Sequence, residues 1–117
     1  MDIQSLEKLL GTARDSAMLR LTLARLLAAD RRSDEAERHL TAAVGMDAAY
    51  TAAWKELGKV RQSQGKPEAA RDAWRAGLEA AQANGDKQAE REMGVFLKRL
   101  DKKLADSRSQ RQDPHQT

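Results

Sequence analysis

The chain has 117 residues, two histidines and no cysteine, and its 21 basic and 18 acidic side chains give a net charge of +3. This length favours one domain, and the lack of cysteine excludes disulfides and thiolate metal sites. No signal peptide is visible, and no apolar stretch approaches the roughly 18 residues that cross a membrane. Alanine and leucine dominate the apolar share, and 3% of residues are aromatic. We therefore expect an all-α, cytoplasmic protein.

Helical spacing of apolar residues, interrupted by glycine, proline and short polar turns, predicts six helices. The first ends at Gly11, and Gly65 and Pro67 separate the fourth from the fifth. Asp47 is the expected N-cap of the helix predicted at 48–64. The predicted helices are residues 2–10, a helix ending near 29, its partner ending near 45, and residues 48–64, 67–82 and 87–105.

The helix predicted at 87–105 has one apolar stripe and otherwise charged faces. We expect this stripe to pack against the preceding helices, with the charged side facing solvent. Residues 106–117 are polar and contain Pro114, which predicts disorder. The stripe consists of Ala89, Met93, Phe96, Leu97, Leu100 and Leu104.

Residues 17–50 and 51–84 are two copies of one pattern, offset by 34 residues. Leu23 corresponds to Leu57, and Leu40 to Trp74. A helix–turn–helix unit of this period cannot bury its apolar face alone, and about three units are needed for a stable stack. The helices at 2–10 and 87–105 lack the 34-residue offset. We expect them to cover the two open ends of the stack, so that residues 1–105 form one domain.

The second copy resembles a tetratricopeptide repeat. The family pattern places Trp, Leu and Gly in the first helix and Ala and an aromatic residue in the second. Two departures are Arg61, where Tyr is usual, and Arg20, where the first copy lacks the Trp. The resemblance implies a right-handed superhelical stack of antiparallel helix pairs, with both tryptophans in the core. The matching residues are Tyr50, Trp54, Leu57, Gly58, Gly65, Ala70, Trp74 and Gly77.

In that family the first helix of each repeat lines a concave groove that holds a peptide or a partner helix. Three of the implied groove residues are basic, which suggests an acidic peptide as one kind of ligand. The family's clamp for a terminal carboxylate is not reproduced, because Leu21 and Glu56 stand at two of its positions. The implied groove residues are Met18, Leu21, Arg25, Ala28, Ala52, Lys55, Lys59 and Gln62.

These features favour a protein–protein interaction adaptor or scaffold that binds a partner in the groove, as a monomer or weak homo-oligomer. The alternative is a structural module that self-associates through an exposed end or its C-terminal helix. A nucleic-acid accessory protein is less favoured, since it depends on the mild positive charge and on one interrupted cluster. That cluster is Lys98, Arg99, Lys102 and Lys103, with Asp101 between them.

Catalysis finds no support in the sequence. His39, on a helix face predicted to be exposed, and His115, in the tail, have no Ser or Cys partner at motif spacing. No histidine pair suits a metal, and no glycine-rich phosphate loop is present. We therefore predict no catalytic residue, no metal and no cofactor.

Overall fold

The computed structural model describes the backbone of residues 2–112 and the side chains of residues 2–109. Within this part of the chain, all regular secondary structure is α-helical, as predicted. The helices α2 to α5 lie close to their predicted positions, and α6 begins where predicted. The helices are α1 (Ile3–Glu7), α2 (Ala17–Ala29), α3 (Ser33–Met46), α4 (Thr51–Ser63), α5 (Pro67–Asn84) and α6 (Lys87–Gln112).

The end of α1 and the start of α4 differ from the prediction for local reasons. α1 is shorter than predicted, because Leu9 and Leu10 donate to the carbonyls three residues back rather than four. The N-cap prediction for Asp47 is wrong. Its carboxylate accepts from the Ala49 backbone at 3.1 Å, and its carbonyl accepts from the Tyr50 backbone. These bonds close a turn that delays the start of α4 to Thr51.

α6 extends beyond the predicted end at residue 105. It continues to Gln112, so residues 106–112 are helical rather than the predicted disordered tail. This segment contains neither glycine nor proline, so nothing in it breaks a helix. The remainder of that predicted tail, residues 113–117, lies outside the described residues.

The helices form antiparallel pairs stacked in a right-handed superhelix. α2 pairs with α3, α4 pairs with α5, and α3 packs against α4 to join the pairs. In addition, α2 contacts α4, α4 contacts α6, and α6 packs on α5. The resulting molecule is elongated, with extents of 62 × 33 × 19 Å. Its main core contains the fully buried residues Leu23, Leu27, Leu40 and Leu57.

Both ends of the stack are covered by the flanking helices. At the first end, Leu6 of α1 is buried and Ile3 packs beside it in the main core. At the other end, Met93 and Leu100 of α6 are buried with Trp74 and Ala70 of α5. The predicted stripe on α6 is thus the surface that packs against the second repeat.

α6 corresponds to the first helix of a third repeat, at an offset of 36 residues. Ala89 falls on Ala53, and Met93 on Leu57, and all four are buried. α5 has 18 residues against 14 in α3, while its connection to α6 is two residues shorter than that between α3 and α4. Because of this net difference of two residues, α6 does not align with α4 at an offset of 34 residues.

Candidate binding surface

The exposed sides of α2, α4 and α6 form one continuous face, which we call the first-helix surface. Its alignment is fixed by two contacts between α4 and α6. Lys55 Nζ lies 3.6 Å from Glu92 Oε1, and Lys59 Nζ lies 5.6 Å from the centre of the Phe96 ring. The two helices therefore lie side by side over this stretch, and α6 adds a third element to the surface predicted from α2 and α4.

Seven of the eight predicted groove residues have accessible side chains, and one does not. Leu21 is 3% exposed and belongs to the main core together with Leu6 of α1, so its prediction as a groove residue is wrong. This side chain is buried because it lies in the apolar core to which α1 also contributes. Met18, in contrast, is 68% exposed. Arg25, Lys59 and Gln62 are exposed, and Ala28, Ala52 and Lys55 are half-buried.

Glu56 lies between the two cations that the repeat register places at equivalent positions. Its Oε1 is 3.8 Å from Arg25 Nε, and its Oε2 is 3.6 Å from Lys59 Nζ. Lys55 is paired with Glu92 of α6. The three predicted groove cations are thus partly neutralised by two carboxylates of the same surface, which reduces its attraction for an anion.

Phe96 connects the surface to the core. Its ring stacks on Trp74, with ring centres 5.1 Å apart and an interplanar angle of 28°, and the Lys59 ammonium also lies over this ring. Val95, which corresponds to Lys59 at the 36-residue offset, is 43% exposed. The α6 end of the surface therefore offers apolar contact, as Met18 does at the α2 end.

A shallow pocket of about 180 Å³ opens between α4 and α6. Ala52 and Lys55 lie on its α4 side, and Gln88 and Glu92 on its α6 side. Its lining mixes amide, charged and aliphatic groups. A pocket of this volume suits one side chain of a bound segment rather than a drug-sized ligand.

Arg61, the departure from the family's Tyr, joins the two repeats through Glu37. Arg61 Nε donates to Glu37 Oε2 at 3.1 Å and Nη1 donates to the Ala69 carbonyl at 3.1 Å. Lys66 and Gln64 donate to the same carboxylate at 2.8 and 3.1 Å. These bonds, first of all that from Lys66, lower the pKa of Glu37. The junction ties α3 to the α4–α5 turn.

Arg20, which replaces the tryptophan of the first repeat, joins Asp15 and His39. It donates to both Asp15 oxygens at 3.0 and 2.8 Å, and these bonds lower the pKa of Asp15 to about 2. Its Nη1 lies 3.3 Å from His39 Nδ1. A guanidinium can only donate, so Nδ1 accepts. The prediction that His39 is exposed is wrong, since it is half-buried, and burial lowers its pKa.

The two tryptophans have structural partners. Trp74 is 2% exposed, and Trp54 is half-buried against the main core, with its indole N–H donating to the Ala48 carbonyl at 2.9 Å. Within residues 2–109, no group of three His, Cys, Asp or Glu side chains is placed to hold a metal ion. None of the helices in the described part combines the length and hydropathy that crossing a membrane requires.

The comparisons with known proteins agree with this architecture of stacked helix pairs. The sequence profile of the tetratricopeptide repeat-like domain matches residues 3–100. The chain is 47% identical over 104 residues to the TPR repeat-containing protein PA0015 of Pseudomonas aeruginosa, covering 87% of this chain and 97% of that protein. The solution structure of protein BPP2914 from Bordetella parapertussis superposes with a TM-score of 0.76 at 44% identity, covering 88% of this chain and 90% of that one.

A more distant likeness is that to MamA, whose crystal structure superposes with a TM-score of 0.64 at 19% identity. It covers 89% of this chain and 69% of that one, and it bears on the fold alone. The chain belongs to the tetratricopeptide repeat-like family. Such folds generally mediate protein–protein interaction, and the family is typically non-enzymatic.

Proposed function

We propose that this protein is a small adaptor or scaffold that binds an extended peptide or a helix of a partner protein across the first-helix surface. The observation that carries this proposal is the uninterrupted face of α2, α4 and α6. Its ends carry exposed Met18 and Val95, and its middle carries the charges around Glu56. Apolar anchors at two points with polar groups between them suit an amphipathic segment.

The arrangement of charge refines the kind of ligand. A carboxylate of the ligand has to compete with Glu56 for Arg25 and Lys59. A segment carrying both signs of charge can instead pair with Glu56 and with the cations at once. We therefore expect mixed charge, rather than uniform negative charge, in the segment bound here.

A binding role also agrees with the chemistry of the titratable groups. Arg20 bonds to both Asp15 and His39, and no serine side chain among residues 2–109 bonds to His39. We propose a non-catalytic protein without a cofactor, acting in the cytoplasm as its sequence predicts. Self-association is the alternative, and sedimentation at several concentrations distinguishes it from a monomeric adaptor.

The test is affinity capture from lysate with matched variants. Arg25→Glu/Lys59→Glu reverses two charges on the first-helix surface. Arg38→Glu/Arg75→Glu makes the same charge change on exposed positions of the second helices, α3 and α5. We expect a partner to be retained by the wild type and by the α3/α5 control, and lost from the first-helix variant. Equal retention by both double variants refutes binding at this surface.

A further inference from the structure

We propose that the C-terminal half of α6 forms a second docking site, which takes an acidic protein segment with an apolar side chain. α6 is 26 residues long and α4 only 13. Because Lys59 lies over Phe96, α4 ends beside Leu100, and the rest of α6 runs past it. The space between this part of α6 and the α4–α5 turn is a trough, which we call the α6 trough.

The floor of the α6 trough is apolar. The trough has a volume of about 230 Å³, and its apolar lining comes from Pro67 at the start of α5 and from Leu100 and Leu104 of α6. Gln62, Gly65, Lys103 and Ser107 complete the lining. Leu104 is half-buried and packs against the cluster of Trp74, so the floor is anchored in the core. The volume and the lining suit one aliphatic side chain of a bound segment.

One side of the trough is basic. Lys103 lines the trough directly, and Arg99 and Lys102 share with Lys103 an adjacent pocket on the neighbouring side of α6. Among the described side chains, these three cations have no ion-pair partner, whereas Arg25, Lys55 and Lys59 are each paired. Asp106 lines the same pocket as these cations, so three cations stand against one carboxylate here. This excess of positive charge is larger than that on the first-helix surface, and it complements carboxylates.

The chemistry of the trough favours a protein segment over nucleic acid. Single-stranded nucleic acid is held by stacking bases on aromatic rings. The nearest aromatic pair, Trp74 and Phe96, stacks on itself, and Lys59 covers Phe96. An aliphatic floor with a basic rim instead fits an apolar residue flanked by aspartate or glutamate. Gln62 belongs to both this trough and the first-helix surface, but the trough's leucines and lysine lie outside that surface, so either site can exist without the other.

Fluorescence anisotropy on the full chain tests the proposal with three labelled probes. They are a short acidic peptide with one central leucine, the same peptide with serine in place of leucine, and an oligothymidine of similar charge. We expect the leucine peptide to bind most tightly. Lys102→Glu/Lys103→Glu should weaken it by about tenfold or more, since two ion pairs become repulsions. Arg38→Glu/Arg75→Glu, which makes the same charge change elsewhere, should change it little.

Leu104→Ser tests the apolar floor. It should weaken the leucine peptide several-fold and leave the serine peptide unchanged, with circular dichroism confirming that the helices persist. The proposal is overturned if no peptide binds, if the serine peptide or oligothymidine binds as tightly as the leucine peptide, or if both charge-reversal variants weaken binding equally. Loss of binding in Arg25→Glu/Lys59→Glu alone would place the acidic segment on the first-helix surface instead.

Discussion

The indole ring of Trp74 lies directly across Gly58, and its Nε1 donates a hydrogen bond to the Lys55 carbonyl at 3.1 Å. A side chain at Gly58 would occupy the space of the ring, so the glycine lets the indole reach the backbone of α4. Gly94 stands at the equivalent position of α6, and a Cβ there would meet nothing within 4 Å. The missing contact at Gly94 marks where a further second helix would pack if the stack continued.

Gly58→Ala and Gly94→Ala should therefore have opposite effects on stability. At Gly58 the methyl group displaces Trp74, and overpacking of this kind costs about 1–3 kcal/mol. At Gly94 the change removes only the conformational entropy of a glycine inside a helix, which stabilises by about 0.5–1 kcal/mol. Urea denaturation of both variants measures the difference. A Gly58→Ala protein as stable as Gly94→Ala would contradict the close contact with Trp74.

Leu100 and Val95 provide a matched pair for the packing of α6. Leu100 is 1% exposed and Val95 is 43% exposed. Leu100→Ala should lower the free energy of unfolding by about 2–5 kcal/mol, because it leaves a cavity beside Trp74. Val95→Ala should change it by less than about 0.5 kcal/mol, as surface substitutions do. If thermal unfolding shows the two variants to be equally stable, α6 does not pack on the second repeat in this register.

Removal of the Glu37 carboxylate should loosen the joint between the repeats. Glu37→Ala leaves the donors on Arg61, Gln64 and Lys66 without their shared acceptor, and hydrogen bonds to charged groups contribute about 1.5–3 kcal/mol each where buried. The junction is partly exposed, so we expect a total loss of about 1–3 kcal/mol. Glu79→Ala, at an exposed position of α5, is the control. Equal denaturation midpoints for the two variants would show that the junction contributes nothing.

His39 should make the protein less stable as the pH falls below its ordinary pKa of 6.5. The folded pKa of His39 is lowered, so the unfolded chain binds a proton more readily than the folded protein does. Stability is therefore complete above pH 6.5 and declines as the pH falls toward the folded pKa. Thermal midpoints measured from pH 7.5 to 4.5 should fall in the wild type, and His39→Gln should flatten that decline. An unchanged slope in His39→Gln would show that the pKa of His39 is not lowered on folding.

The fold was predictable because its signals are local. Gly65 and Pro67 delimit α4 and α5, and the spacing that relates Leu23 to Leu57 sets the register of the two repeats. The first helix of the third repeat, α6, was not recognised from the sequence. The longer α5 and the shorter connection after it change the repeat offset from 34 to 36 residues. A search that allows small shifts in the period finds it through Ala89 and Met93.

The binding surface was less predictable than the fold. The repeat register selected Arg25 and Lys59 correctly as exposed, but the carboxylate between them belongs to Glu56, a position outside the predicted groove set. Lys59 pairs with Glu56 of its own helix, but Arg25 and Lys55 pair with carboxylates of neighbouring helices, which no periodicity encodes. The prediction for Leu21 was wrong for a related reason. Leu21 is buried in a core that includes Leu6 of α1, a helix outside the two repeats.

Site-specific photo-crosslinking tests the central claim, that one partner segment lies across α2, α4 and α6. A photo-crosslinking amino acid replaces Met18 in one variant and Val95 in another, both exposed on the first-helix surface. Two control variants carry it at Arg38 and Arg75 on the second helices. The proposed function predicts that positions 18 and 95 crosslink to the same partner protein and positions 38 and 75 do not. Crosslinking of that partner from the control positions alone, or equally from all four, would contradict it.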